Sequence, residues 1–140
     1  MASKTKMLGA IGEQVVIAEF IKAGAQVSVP VGDNAPYDMI VDMHGKMLKV
    51  QVKSTEKAKQ GVMNFSTCIT DPYKLTRTKY TSEMIDVFAL FCLENGYIGL
   101  IKVEDCGESL KLRTDAPKNG QKKNIKMGKD YEFHLTISEL

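Results

Sequence analysis

Three polar side chains interrupt an otherwise apolar stretch, PYDMIVDMHGKMLKVQVKST at residues 36–55: Asp38, Gln51 and Lys53. A carboxylate, an amide oxygen and an ammonium that meet at one point suit a divalent metal beside a phosphate. Hard cations such as Mg²⁺, or Mn²⁺ in its place, take oxygen ligands. Asp38 offers a carboxylate, Gln51 an amide oxygen, and the backbone carbonyl of Val52 a third oxygen. A metal so held polarises a phosphate and lowers the pKa of a bound water. Lys53 beside it would hold the attacking water or stabilise charge developing on the phosphate. A fourth group is Glu13, which follows Gly12 in a helical segment near the start of the chain.

These residues meet only if particular elements form. Strict alternation puts Leu48, Val50 and Val52 on one face of a strand and Lys49, Gln51 and Lys53 on the other. His44-Gly45 suits a two-residue turn, because Gly accepts positive φ and His tolerates it better than most residues. A hairpin centred there places Asp38 opposite Gln51, with Cβ atoms roughly 4.5–5.5 Å apart. Residues 5–23 read as a helix, with Leu8, Ile11, Val15 and Ala18 at helical spacing and Gly24 placed to stop it. Gly9 and Gly12 inside it cost about 1 kcal/mol each relative to Ala. Either they are tolerated or something approaches the backbone closely.

The rest of the chain reads as β-rich. Residues 26–30, 62–67 and 110–113 predict short strands, and 32–36 is loop chemistry. Residues 85–93 form a continuous apolar run, hence a buried strand. Its Asp86 is either a buried hydrogen-bonding group or a helper near the site. Asn95-Gly96 predicts a hairpin returning through residues 97–103. Residues 71–83 read as polar turns with a basic cluster at Lys74, Arg77 and Lys79, and 114–129 as a mobile lysine-rich loop. Alternation of Tyr131, Phe133, Leu135 and Ile137 predicts a closing strand.

The 140 residues suit one domain over 1–140 with a real core. A net charge of only +2 excludes a global polycation, so any nucleic-acid surface must come from local clusters. Cys68, Cys92 and Cys106 have no CxxC spacing and read as reduced thiols. His44 and His134 are too far apart in sequence to suggest a histidine metal site. The opening MASKTKMLGAIGEQ lacks the apolar core of a signal peptide, and no run reaches the roughly 18 apolar residues of a membrane span. The expectation is a cytoplasmic protein with no membrane partner.

The pattern resembles the PD-(D/E)XK nuclease superfamily. Glu13 in GE, Asp38 in PYD, and Gln51 and Lys53 in QVK carry the resemblance, and the later YTSEMIDVFALF is similar as well. More narrowly, GEQVVIAEF, the PYD hairpin and QVKST look like the group I intron-associated homing endonucleases. Archaeal Holliday junction resolvases share similar motif spacing. The resemblance implies an α/β, restriction-endonuclease-like core, a mixed β-sheet flanked by helices, with Mg²⁺ dependence and cleavage of DNA phosphodiesters. It makes Asp38 the central metal ligand, Gln51 the second ligand and Lys53 the catalytic lysine, with Glu13 completing the metal environment. One departure stands out: the superfamily usually has Asp or Glu where this chain has Gln51. The homing branch also uses Gln there. The neutral amide either weakens metal binding or marks a lost activity.

Plainer readings stand beside these. The alternating polar residues would serve equally as the solvated face of a hairpin. Lys49, Ser54, Thr55, Lys57 and Lys59 after it, and Arg77, Lys79 and Tyr80 further on, are either contacts to a DNA backbone or ordinary surface groups. The alternatives to a homing-type endonuclease are a Holliday junction resolvase, a non-catalytic DNA-binding module derived from a nuclease, and an unrelated α/β protein. A chain this short has little surface for a long DNA site, which predicts a dimer or tetramer. Whether the gene sits in an intron, a phage or a chromosome is not written in the sequence.

Overall fold

A computed structural model describes residues 3–71 and 73–140. Helix α1 spans Lys4–Lys22, and Ser3 caps it by accepting from the Lys6 N–H. Its C-terminus closes through Gly24 at φ 94°, which lets Gly24 N–H reach the Ile21 carbonyl and Ala25 N–H the Phe20 carbonyl. The buried stripe is Gly12, Val16 and Phe20, one to two positions along from the expected Leu8–Ile11–Val15–Ala18 line. Gly12 decides this, since it is where the helix touches the sheet.

Strands β1 (Gln26–Ser28), β2 (Met39–Met43) and β3 (Lys46–Thr55) follow. The β2–β3 hairpin turns at His44 and Gly45, with φ 52° and 80°, in the predicted register: Met43 faces Lys46 and Met39 faces Val50. β4 (Val62–Ser66), β5 (Cys68–Asp71) and β6 (Thr76–Lys79) precede β7 (Val87–Cys92), which lies parallel to β3. β8 (Ile98–Lys102) returns antiparallel to β7. In that hairpin Gly96 takes φ 71° and Asn95 stays at negative φ, so the turn is longer than a two-residue one.

The main sheet has the order β1-β2-β3-β7-β8 and is mixed, the β3–β7 pair alone being parallel. One face carries Val41, Val50, Val52, Ala89 and Leu100 against Val16 and Phe20 of α1. The other carries Phe88, Leu90 and Ile101 against Met63, Phe65, Leu110 and Leu112. Covering on both faces explains why all six residues of β7 are buried.

Three expectations change. The strands at 62–67 and 110–113 form as expected, as β4 and β9 (Ser109–Arg113), but the loop expected over 114–129 is interrupted by β10 (Lys126–Met127), which joins them in a second sheet of order β10-β9-β4. Residues 71–83 are not only turns: β5 and β6 pair as an antiparallel ribbon. Its strands are polar and short, so neither hydrophobic period announced it. The closing segment is helical rather than extended, with a 3-10 turn at Gly128–Asp130, α2 at Phe133–Thr136 and a further 3-10 turn at Ile137–Glu139. Phe133, Thr136, Ile137 and Leu140, at helical spacing, pack inward, whereas the alternating pattern's Leu135 stays 49% exposed. Phe133 meets Phe20 edge-on, with ring centroids 4.9 Å apart. Tyr131 accepts from Leu100 N–H and so covers the outer edge of β8. No described helix is long and apolar enough to cross a membrane.

Candidate active site

The site lies where β2 stops and β3 continues. Pairing of β2 with β3 ends at Met39–Val50, while β3 runs on to Thr55 beside β7 alone. Backbone parity decides what faces the vacant side. Lys49 turns its peptide groups toward β7, donating to Asp86 Oδ2 at 2.8 Å and accepting from Asp86 N–H at 2.9 Å. Val50 and Val52 therefore turn the other way. The Val50 carbonyl accepts from Asp38 N–H at 2.8 Å, and Val52 N–H donates to Asp38 Oδ2 at 2.8 Å. The Val52 carbonyl points to the same side, where no strand pairs with it.

Glu13 arrives from the helix. It follows Gly12 on the rim of the buried face, and the Ser54 side chain packs where a Gly12 side chain would stand. That approach brings the Glu13 carboxyl close enough to Asp38 for the two charges to act on each other. Burial raises the pKa of Glu13, and the charge and hydrogen bond of Asp38 raise it further. Asp38 is raised by burial too, but the Val52 N–H, Glu13 and Lys53 pull against that.

Lys53 stands on the Gln51 face of β3, at the register position beyond Asp38. Burial lowers its pKa, against the opposing pull of Asp38 and Cys68. Its Nζ sits 5.1 Å from the centroid of the Tyr80 ring. Tyr80 packs edge-on against Phe88, and burial raises its phenol. Gln51 is half-buried on the same face as Lys53. Among the described residues no three His, Cys, Asp or Glu side chains cluster as a metal cage. The oxygens available beyond the two carboxyls are therefore neutral: the Gln51 amide and the Val52 carbonyl. Four oxygens of this kind fit a hard divalent cation.

The other sequence candidates separate. Ser54 leaves the group: its Oγ is buried under α1, because it shares the face of Val50 and Val52, so it does not face a DNA backbone. Lys49 donates its Nζ to the Glu83 carbonyl, and Asp86 is occupied by the Lys49 peptide, away from the carboxylates. Thr55 continues the Lys53 face, and Lys57, Arg77 and Lys79 are exposed. Sequence reading placed Tyr80 with possible DNA contacts and Cys68 with the inert thiols; no local pattern links either to Lys53, since the contacts join distant parts of the chain.

This geometry can be set beside known proteins. A family model described as PD-(D/E)XK endonuclease matches residues 3–134. The chain belongs to the PD-(D/E)XK endonucleases. Among solved structures, the bacterial homing endonuclease I-Ssp6803I is similar at a TM-score of 0.76 and 26% identity, over 98% of this chain and 95% of that one. No curated protein sequence matches. The mixed sheet with helices is accordingly the restriction-endonuclease-like fold, and membership makes this PD-(D/E)XK chain a nuclease with DNA as its substrate. The family works in general with divalent metals.

Proposed function

We propose that this nuclease is a divalent-metal-dependent DNA endonuclease of the homing type, using Mg²⁺, or Mn²⁺ in its place. The observation that carries the reading is the convergence of Asp38, Glu13, the Val52 carbonyl and Lys53 at the open side of β3. Likeness to I-Ssp6803I supports the homing type. Asp38, Gln51, Glu13 and the Val52 carbonyl would hold a divalent cation. When bound, a divalent cation polarises the scissile phosphate and acidifies a water. Lys53, half-buried and held over Tyr80, orients the water or meets the charge that grows on the phosphate. Lys57 and Lys79, with Lys49 at the margin, would neutralise the DNA backbone, and Thr55 would add a neutral hydrogen bond to it, so affinity should fall steeply with salt.

Gln51 gives a direct test of the metal assignment. Gln51→Glu adds a third carboxylate, and calorimetric titration of Mn²⁺ should show roughly tenfold or more tighter binding. An unchanged affinity would mean that Gln51 does not touch the metal.

The chain works as a dimer or tetramer, because a site of many base pairs exceeds what one copy can span. Light scattering on target DNA should give two or four copies per site. A single copy would contradict it.

A further inference from the structure

The β5–β6 ribbon leaves the body of the protein next to the catalytic lysine. Its register pairs Cys68 with Lys79 and Thr70 with Arg77. Directly paired residues share a face, and so do residues two apart. One face therefore carries Cys68, Thr70, Arg77 and Lys79, and the other Ile69, Asp71, Thr76 and Thr78. The base of the ribbon lies at the cleft, because Tyr80, the residue after Lys79, sets its ring centroid 5.1 Å from Lys53 Nζ, and the first face turns inward there, where Cys68 is buried.

All four residues of β6 are exposed. Asp71, the ribbon's own acid, is occupied with the Tyr73 and Lys74 N–H groups. Charge on the cleft face is thus positive, opposite to that of DNA. A two-stranded ribbon fits the major groove.

Arg77 is held in a particular way. Its Nε donates to Cys68 Sγ at 3.3 Å, which fixes one edge of the guanidinium. The terminal nitrogens have only a long contact, Nη1 to Glu108 Oε2 at 4.0 Å between two half-exposed side chains. An exposed pair at that distance is weak and easily exchanged. Two coplanar Nη groups are the fork that reads O6 and N7 of guanine.

We infer that the β5–β6 ribbon enters the major groove beside the scissile phosphate and that Arg77 is a specificity-determining residue reading a guanine there. This rests on the nuclease reading above. Tyr80 follows Arg77 by three residue steps, about 10 Å, or roughly three base pairs along the duplex. The guanine therefore lies roughly that far from the cut.

The test is cleavage of a randomised duplex library with Mn²⁺, with the cut ends sequenced, for wild type, Arg77→Ala and Arg77→Lys. Wild type should enrich guanine at one position roughly three base pairs from the cut. Both variants should lose that preference, by between about 5-fold and about 150-fold. Arg77→Lys keeps the charge and lacks the fork, so its salt dependence should match wild type. An unchanged base profile in Arg77→Lys, or a uniform loss of affinity in Arg77→Ala with a salt slope smaller by about one, would overturn the assignment and make Arg77 a phosphate contact. Wild-type cutting with no guanine preference near the cut would also overturn it. Failure of the wild type to cut at all would sink the nuclease reading itself.

Discussion

Lys53→Ala should lower single-turnover DNA cleavage by between about 10²-fold and about 10⁴-fold, the range for losing a positioned acid–base or charge-stabilising group. Fold and DNA affinity should be largely retained. Lys53 lies at the end of β3, and burial disfavours its charged form, so its removal relieves a desolvation cost. Duplex affinity would rest on the exposed Lys57 and Lys79 instead. Lys53→Arg should fail as well. A guanidinium can stack on the Tyr80 ring, but it is larger and planar and cannot present the compact, three-donor charge of an ammonium to the water or phosphate. A Lys53→Ala protein that cuts as fast as wild type would remove Lys53 from the site.

Gly12→Val should destabilise the fold by about 3 kcal/mol or more, at the upper end of overpacking effects. A Cβ at residue 12 would stand 2.0 Å from Ser54 Oγ, 3.3 Å from Ser54 Cβ and 3.4 Å from the Phe91 ring. Swinging the hydroxyl aside relieves only the first contact. The γ-methyls of valine must then push α1 away from β3, and Glu13 moves with the helix. Cleavage should fall with stability. Ser54→Ala, by contrast, should be neutral or slightly stabilising, because it removes a buried hydroxyl that makes no hydrogen bond among the described residues. Combining Gly12→Ala with Ser54→Ala should give a milder loss than the sum of the single changes, a coupling that chemical denaturation of the four proteins measures. Strict additivity would mean that the helix does not rest on this contact.

The hairpin that builds the site was legible because its signals are local. A left-handed turn at His44-Gly45 fixes the register, and alternation then assigns every face of β3. The glycine in α1 also carried a legible question, which Ser54 answers. Ser54 itself was misassigned to the DNA side, although the same alternation places it with Val50 and Val52. The closing helix was illegible for a different reason. Tyr131, Phe133, Leu135 and Ile137 satisfy a strand period, while Phe133, Thr136, Ile137 and Leu140 satisfy a helical one. Packing of Phe133 on Phe20 chose between them, and nothing within the segment records that. The Lys53–Tyr80 contact and the β5–β6 ribbon depend likewise on tertiary structure. The vacancy beside the Val52 carbonyl follows from where β2 ends, which a sequence gives only to within a few residues.

The central claim is that a divalent cation bound at Asp38, Glu13, Gln51 and Val52 makes this nuclease active. The most direct test is nicking of supercoiled plasmid by wild type and by Asp38→Asn, each with Mg²⁺, with Mn²⁺ and with EDTA. Wild type should cut with either cation and not in EDTA, and Asp38→Asn should not cut under any condition. Cutting that persists in EDTA, or that survives in Asp38→Asn, would contradict it.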